Sequence, residues 1–217
     1  MPMTMEKLEA EVARLKEQVA ELSRAQDYVE ICKLQSMYAH LYNVCKRAEI
    51  IDLFAKKTPG VTLEIEDGGV FEGIEGVKKV FGGILSEERG LTPGFLGSHM
   101  TVNPIIEINK EGTKARGAWF SHGSVSLRRE GELTAFWCLG KYDVEYVKED
   151  GKWKFFKLAY RQIYMSPYEK GWIEEPQGAS IACMPEYPPD KPCTYHMPYH
   201  RYRINIFQPM PPEPYED

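Results

Sequence analysis

His99 sits in "GFLGSHMTVNPIIEI" (94–108), where a glycine-containing loop runs into a strand pattern. An imidazole, with an ordinary pKa of about 6.5, gives or takes a proton at neutral pH. A lone histidine there is either tied to a backbone carbonyl or an acid or base at the mouth of a pocket. Tyr38 and Tyr42 lie four residues apart in a helical pattern and so share one face. Their hydroxyls could polarise a carbonyl or hold an oxyanion, or they could simply pack. His122 follows Trp119-Phe120-Ser121 in a strand pattern. Alternation sends Trp119 and His122 to opposite faces unless a bulge at Gly123 intervenes, in which case His122 becomes a second proton carrier. Arg161 could clamp a carboxylate or phenolate, or form a surface salt bridge. Trp119, Trp137, Tyr142 and Tyr160 could wall a planar substrate or fill the core.

A second group of candidates lies near the C-terminus. In "CTYHMPYH" (193–200), Cys193, His196 and His200 have C-x2-H-x3-H spacing, and thiol and imidazole ligands suit zinc. Pro198 forbids a helix there and no second ligand pair lies nearby, so no metal is expected. A lid is the better use, with Tyr195, His196 and Tyr199 on an arm folding over the pocket and His196 reaching substrate; closure would exclude water. The chain contains no P-loop, no GxGxxG and no GxSxG, and no cofactor is expected.

The elements that must carry these groups can be read in order. Residues 5–26 form a helix with Leu8, Val12, Leu15, Val19 and Leu22 at 4-3-4-3 spacing. So narrow an apolar seam needs a partner, either another subunit in a short coiled coil or the chain's own domain. Residues 27–57 read as a second helix with a break near Lys46–Glu49. "VTLEIEDGGVFEG" (61–73) is a hairpin about Asp67-Gly68-Gly69, and 74–85 is a short helix. Four long strands follow, 99–109, 114–129, 133–149 and 152–166, joined by tight turns into an antiparallel meander. Pro104 marks an edge or a bulge in the first. Ten of the fifteen prolines and five tyrosines fall in 173–217, which reads as an extended arm lying on a surface of the same or a neighbouring subunit.

Composition narrows the function classes. A chain of 217 residues, 43% hydrophobic and 27% charged, builds one globular core. Its net charge of −5 argues against a nucleic-acid partner, which usually demands a basic face. Five cysteines without a CxxC read as reduced thiols. No basic-plus-apolar leader and no long apolar run occur, so a cytoplasmic protein that does not enter the membrane is expected.

The joint "GGVFEGIEGVKKVF" between hairpin and helix, and "EDGKWKFFKLA" opening the last strand, resemble the SnoaL-like branch of the nuclear transport factor 2-like superfamily over roughly residues 27–168. The resemblance implies an α+β fold in which a curved antiparallel sheet wraps around helices to make a cone with an internal pocket. It frames the chain as a helical extension (1–26), the domain (27–172) and the Pro/Tyr-rich arm (173–217). The superfamily's dehydratases place a Tyr-Asp pair on the first domain helix and a histidine at the strand start after the short helix. Tyr42 and His99 match two of these positions; Asn43 stands where the aspartate would, so it is expected to face substrate.

Together these readings give the expectation of a cofactor-independent lyase or isomerase, of dehydratase or retro-aldol type, acting on a small aromatic or polycyclic substrate. His99, Tyr42, Tyr38 and His122 would carry the proton chemistry. A homo-oligomer, dimer or trimer, is expected. The alternative is a non-catalytic small-molecule-binding or oligomerisation module, since the fold hosts many functions.

Overall fold

The computed structural model describes residues 4–129, 131–178 and 185–216; Cys183 lies outside them. The first helix, α1 (Met5–Asn43), is one continuous rod rather than two helices. Nothing between Ser23 and Glu30 is a glycine or proline, so the backbone has no reason to break there. The Thr4 hydroxyl caps it by accepting from the Lys7 N–H at 3.4 Å. The apolar seam of its first half is exposed, and burial begins only at Asp27. There the carboxylate accepts from Trp153 Nε1 at 2.8 Å and pairs with Lys148 at 2.5 Å. Asp27 thus marks where the rod enters the domain, and the reading in which residues 5–26 dock on their own domain does not hold.

The expected break falls just after α1, where Cys45 takes a left-handed φ of 59°. Helix α2 (Arg47–Ile50) and a single 3-10 turn (Ile51–Leu53) lead to β1 (Thr62–Ile65) and β2 (Val70–Glu72), the expected hairpin. Helix α3 (Gly73–Lys79) widens into a π turn (Val80–Ile84), and a short α4 (Glu87–Gly90) follows. The four long strands are β3 (Leu96–Ile108), β4 (Lys114–Arg129), β5 (Glu132–Glu149) and β6 (Lys152–Pro167), before a last turn of helix, α5 (Gly171–Glu174).

The sheet order is β2-β1-β6-β5-β4-β3, a curved, unclosed sheet. The meander is antiparallel, but β1 runs parallel to β6, because the chain crosses from hairpin to meander on the far side of the sheet. Pro104 satisfies both parts of its expectation: β3 is the edge strand, and its pairing slips between Val102 and Ile105. The inner face of the sheet packs on α1, α2 and α3 through Ile31, Tyr38, Ile50, Phe54, Val77, Phe81 and Phe155. Among the described residues no helix is long and apolar enough to cross a membrane.

The arm lies on the opposite, outer face and crosses the sheet strand by strand. Val70 of β2 pairs with Lys191. Glu64 of β1 accepts from the Thr194 N–H at 2.6 Å, and the β6 carbonyl of Ile163 accepts from the Tyr199 N–H at 2.7 Å. Lys141 of β5 donates to the Pro209 carbonyl, and the Arg116 guanidinium of β4 lies 4.5 Å from the Tyr215 ring centroid.

Candidate active site

Strand alternation decides which predicted residues meet. Along β4, Trp119, Ser121, Gly123, Val125 and Leu127 face the helices, and the β4–β5 register runs through without a slip. Gly123 therefore does not make a bulge. It allows a close approach instead, since a Cβ there would sit 1.9 Å from the Ser98 carbonyl oxygen. That approach seats His99 opposite Gly123, pointing inward.

The inward residues at this end of the sheet enclose a cavity of about 240 Å³. His99, Tyr38, Tyr42, Tyr142 and Tyr160 all line it, with Ile65, Phe95, Val125 and Met165 as apolar wall. The His99 ring meets the Tyr42 ring edge-on at 5.1 Å between centroids, and Tyr160 at 6.3 Å. The Tyr142 hydroxyl donates to the Tyr38 hydroxyl at 3.5 Å, and among the described residues the buried Tyr160 hydroxyl has no partner. Burial pushes the phenols of Tyr42, Tyr142 and Tyr160 up, so at neutral pH they stay protonated donors. Burial, and secondarily the Arg47 guanidinium, push the His99 imidazole down to about 4, so it is neutral at pH 7.

Asn43 does a different job from the one expected of it. It is turned toward β3, where its Oδ1 accepts from the His99 N–H at 2.8 Å and its Nδ2 donates to the His99 carbonyl at 2.9 Å. It fixes the backbone of residue 99 and does not line the cavity. An amide can donate and accept at once, as this double bond demands; a carboxylate could only accept.

Five other residues expected at the site do not line the cavity. His122 and Trp137 lie on the outer face, their rings tilted by 34° with centroids 5.8 Å apart, and Tyr168 lies 6.0 Å beyond Trp137. Trp119 faces inward but deeper, where its indole donates to the Tyr146 hydroxyl at 2.9 Å, which donates to Gln35 at 3.0 Å. It is core, not wall. Arg161 is outer-facing and pairs with Glu64 at 2.5 Å, its other nitrogen donating to Thr194 at 3.0 Å. His196 is exposed on the arm and does not line the cavity, so residues 185–216 do not cover the cavity of their own chain. Among the described residues no cluster of metal-ligating side chains forms, so Cys193, His196 and His200 are not gathered about one point.

Two buried charged residues in the cavity were missed. Arg47 is 4% exposed; its Nη1 donates to the Leu85 carbonyl at 3.2 Å, and its guanidinium lies over the Tyr42 ring, 4.6 Å from the centroid. It sits just past the helix break, so no helical period pointed it inward. Glu66 is 6% exposed. Alternation after Leu63 and Ile65 sends it outward, but its left-handed φ of 54° turns it back. A non-glycine residue there is uncommon and often belongs to a site.

Comparison with solved structures gives the same fold. The chain is similar to the hexachlorocyclohexane dehydrochlorinase LinA-type3 from Novosphingobium barchaimii, at 20% identity and TM-score 0.56, over 68% of this chain and 93% of that one. A LinA structure aligns at 19% identity and TM-score 0.57, over 76% and 99%. A candidate scytalone dehydratase from Novosphingobium aromaticivorans aligns at 19% and 0.55, over 73% and 97%. No curated protein matches the chain. The model of the SnoaL-like domain matches residues 23–159, which takes in β3 to β5, β6 up to Ala159, and all of the cavity's lining except Tyr160 and Met165. The chain belongs to the SnoaL-like family of the nuclear transport factor 2-like superfamily.

Proposed function

We propose that the protein is a lyase or isomerase that needs no cofactor and moves a proton on a small aromatic substrate held in this cavity. The observation that carries the reading is the convergence of an unbonded, neutral imidazole with four phenols in one largely apolar hollow. Among the described residues the His99 ring nitrogens make no hydrogen bond, so a lone pair is available to a substrate proton. His99 would take a proton from a carbon beside a carbonyl or activated ring. The electron pair moves to the oxygen, where the Tyr42 and Tyr160 hydroxyls donate to the developing oxyanion. The leaving group departs from the neighbouring carbon, and His99 returns the proton. Oxyanion donors and one placed base contribute on the order of 10²–10⁴-fold each. The dehydrochlorinase and dehydratase names carried by similar folds denote loss of hydrogen chloride and of water, eliminations that share the removal of a proton and the departure of a group from the neighbouring carbon.

Tyr38 supports Tyr142 from behind rather than meeting substrate alone. Asn43 favours the alternative reading of a binding module, because it leaves His99 without an orienting carboxylate. Product analysis separates the two. Aromatic hydroxyketones and β-aryl ethers incubated with the protein should yield eliminated or cleaved product with wild type and not with His99→Gln. Binding without turnover in both would make it a binder.

A further inference from the structure

Arg47 is a cation taken out of water without a counter-ion. Among the described residues it forms no ion pair, its Nε is buried with no partner, and Leu85 supplies a single neutral acceptor. A buried guanidinium in this state is costly unless something anionic joins it. The faces of Tyr42 and Phe95, 4.6 and 5.6 Å from its carbon, offset part of that cost but do not neutralise it. The cavity also holds a carboxylate, Glu66. Both charges bear on Tyr42; Arg47 also bears on His99 and Tyr38, and Glu66 on Tyr160 and Cys138. Arg89, exposed at the rim, adds a second positive group on the path inward.

Resting on the reading above, we propose that the cavity takes a small aromatic carboxylate, its carboxylate paired with Arg47 and its ring lying between the tyrosines. A guanidinium fork matches a carboxylate in two parallel bonds, and the apolar wall excludes the water that would screen them. Calorimetric titration with benzoate and with benzamide tests it. Benzoate should bind at least about 10-fold more tightly, the weight of charge-assisted bonds, and Arg47→Gln should erase that preference. Arg47→Lys, which keeps the charge and loses the fork, should retain part of it. Equal binding of the two probes, a preference unchanged in Arg47→Gln, or no binding of either overturns the inference. If Arg47→Gln does not fold, the wild-type preference and Arg47→Lys decide. Turnover of uncharged hydroxyketones by wild type and its loss in His99→Gln are read separately, so either idea can fail alone.

A different observation concerns α1. Its exposed seam has Met5, Val12 and Val19 at one heptad position and Leu8, Leu15 and Leu22 at the other, all open to water. β-Branched residues at the first position with leucine at the second favour two parallel strands. In that register Glu11 of one helix faces Lys16 of the other, and the symmetric pair repeats the attraction. We infer that residues 5–29 pair in parallel with α1 of a second copy of this chain. Light scattering on the full chain should give an even number of subunits, and Leu15→Asp should halve it. Leu22→Cys should cross-link two chains on oxidation. A monomer, a mass untouched by Leu15→Asp, or no cross-link at position 22 contradicts the pairing.

Discussion

A neutral imidazole beside a guanidinium accepts a proton poorly until negative charge arrives nearby. His99 is in that position, held down to about 4 by burial first and Arg47 second. The sign of the stability effect follows. The unfolded chain, with an ordinary histidine pKa near 6.5, binds this proton more readily than the folded one. Stability from this group is therefore complete above about pH 6.5 and is lost as pH falls toward 4. Melts at pH 7.5 and 4.5 should show wild type losing up to about 3 kcal/mol more than His99→Gln across that window. Tyr160 makes a second residue-scale case. Among the described residues its buried hydroxyl has no partner, and such a group costs about 1–3 kcal/mol. Tyr160→Phe should melt higher by a few degrees while turnover falls at least 10-fold; a loss of stability would show that the hydroxyl is bonded. His99 was legible in the sequence because strand alternation and the loop before it are local. Arg47 and Glu66 were not, because a helix break and one left-handed residue decide where they point.

Elements hold these groups through a few tight contacts. Asn43 clamps α1 to β3 with two hydrogen bonds to the backbone of residue 99. Asn43→Ala should cost about 2 kcal/mol in denaturant melts, at roughly 1 kcal/mol a bond. Asn43→Asp should not restore stability, since a carboxylate would face the His99 carbonyl. In β5, a Cβ on Gly140 would come within 2.4 Å of the Tyr160 ring. Gly140→Ala should push that ring into the cavity, cost about 1–3 kcal/mol and weaken ligand binding; unchanged binding would place Tyr160 elsewhere. Element types and order were legible from periodicity and turn residues. The unbroken α1, the π turn and the parallel β1–β6 pairing were not. The first has no local stop signal, and the other two depend on how distant segments meet.

At the scale of the molecule, the arm and the rod serve opposite faces. The Pro/Tyr-rich tail spreads over the outer sheet, and the cavity opens among the helices on the other side. Composition pointed to an ordered arm, but not to which face it covers, because its anchors are scattered groups on five strands. Removing residues 195–217 should lower the melting temperature by several degrees, at about 2–4 °C per kcal/mol. It should leave benzoate binding unchanged, since none of those residues lines the cavity; loss of binding would restore the tail as a lid. The account as a whole rests on an imidazole shut into an aromatic hollow beside a buried guanidinium. A proton NMR titration of His99, assigned against His99→Gln, reads that state directly. It should give a midpoint near 4 in the free protein and a higher one with benzoate in the cavity. A midpoint at the ordinary value, unmoved by benzoate, would put the ring in bulk water and contradict it.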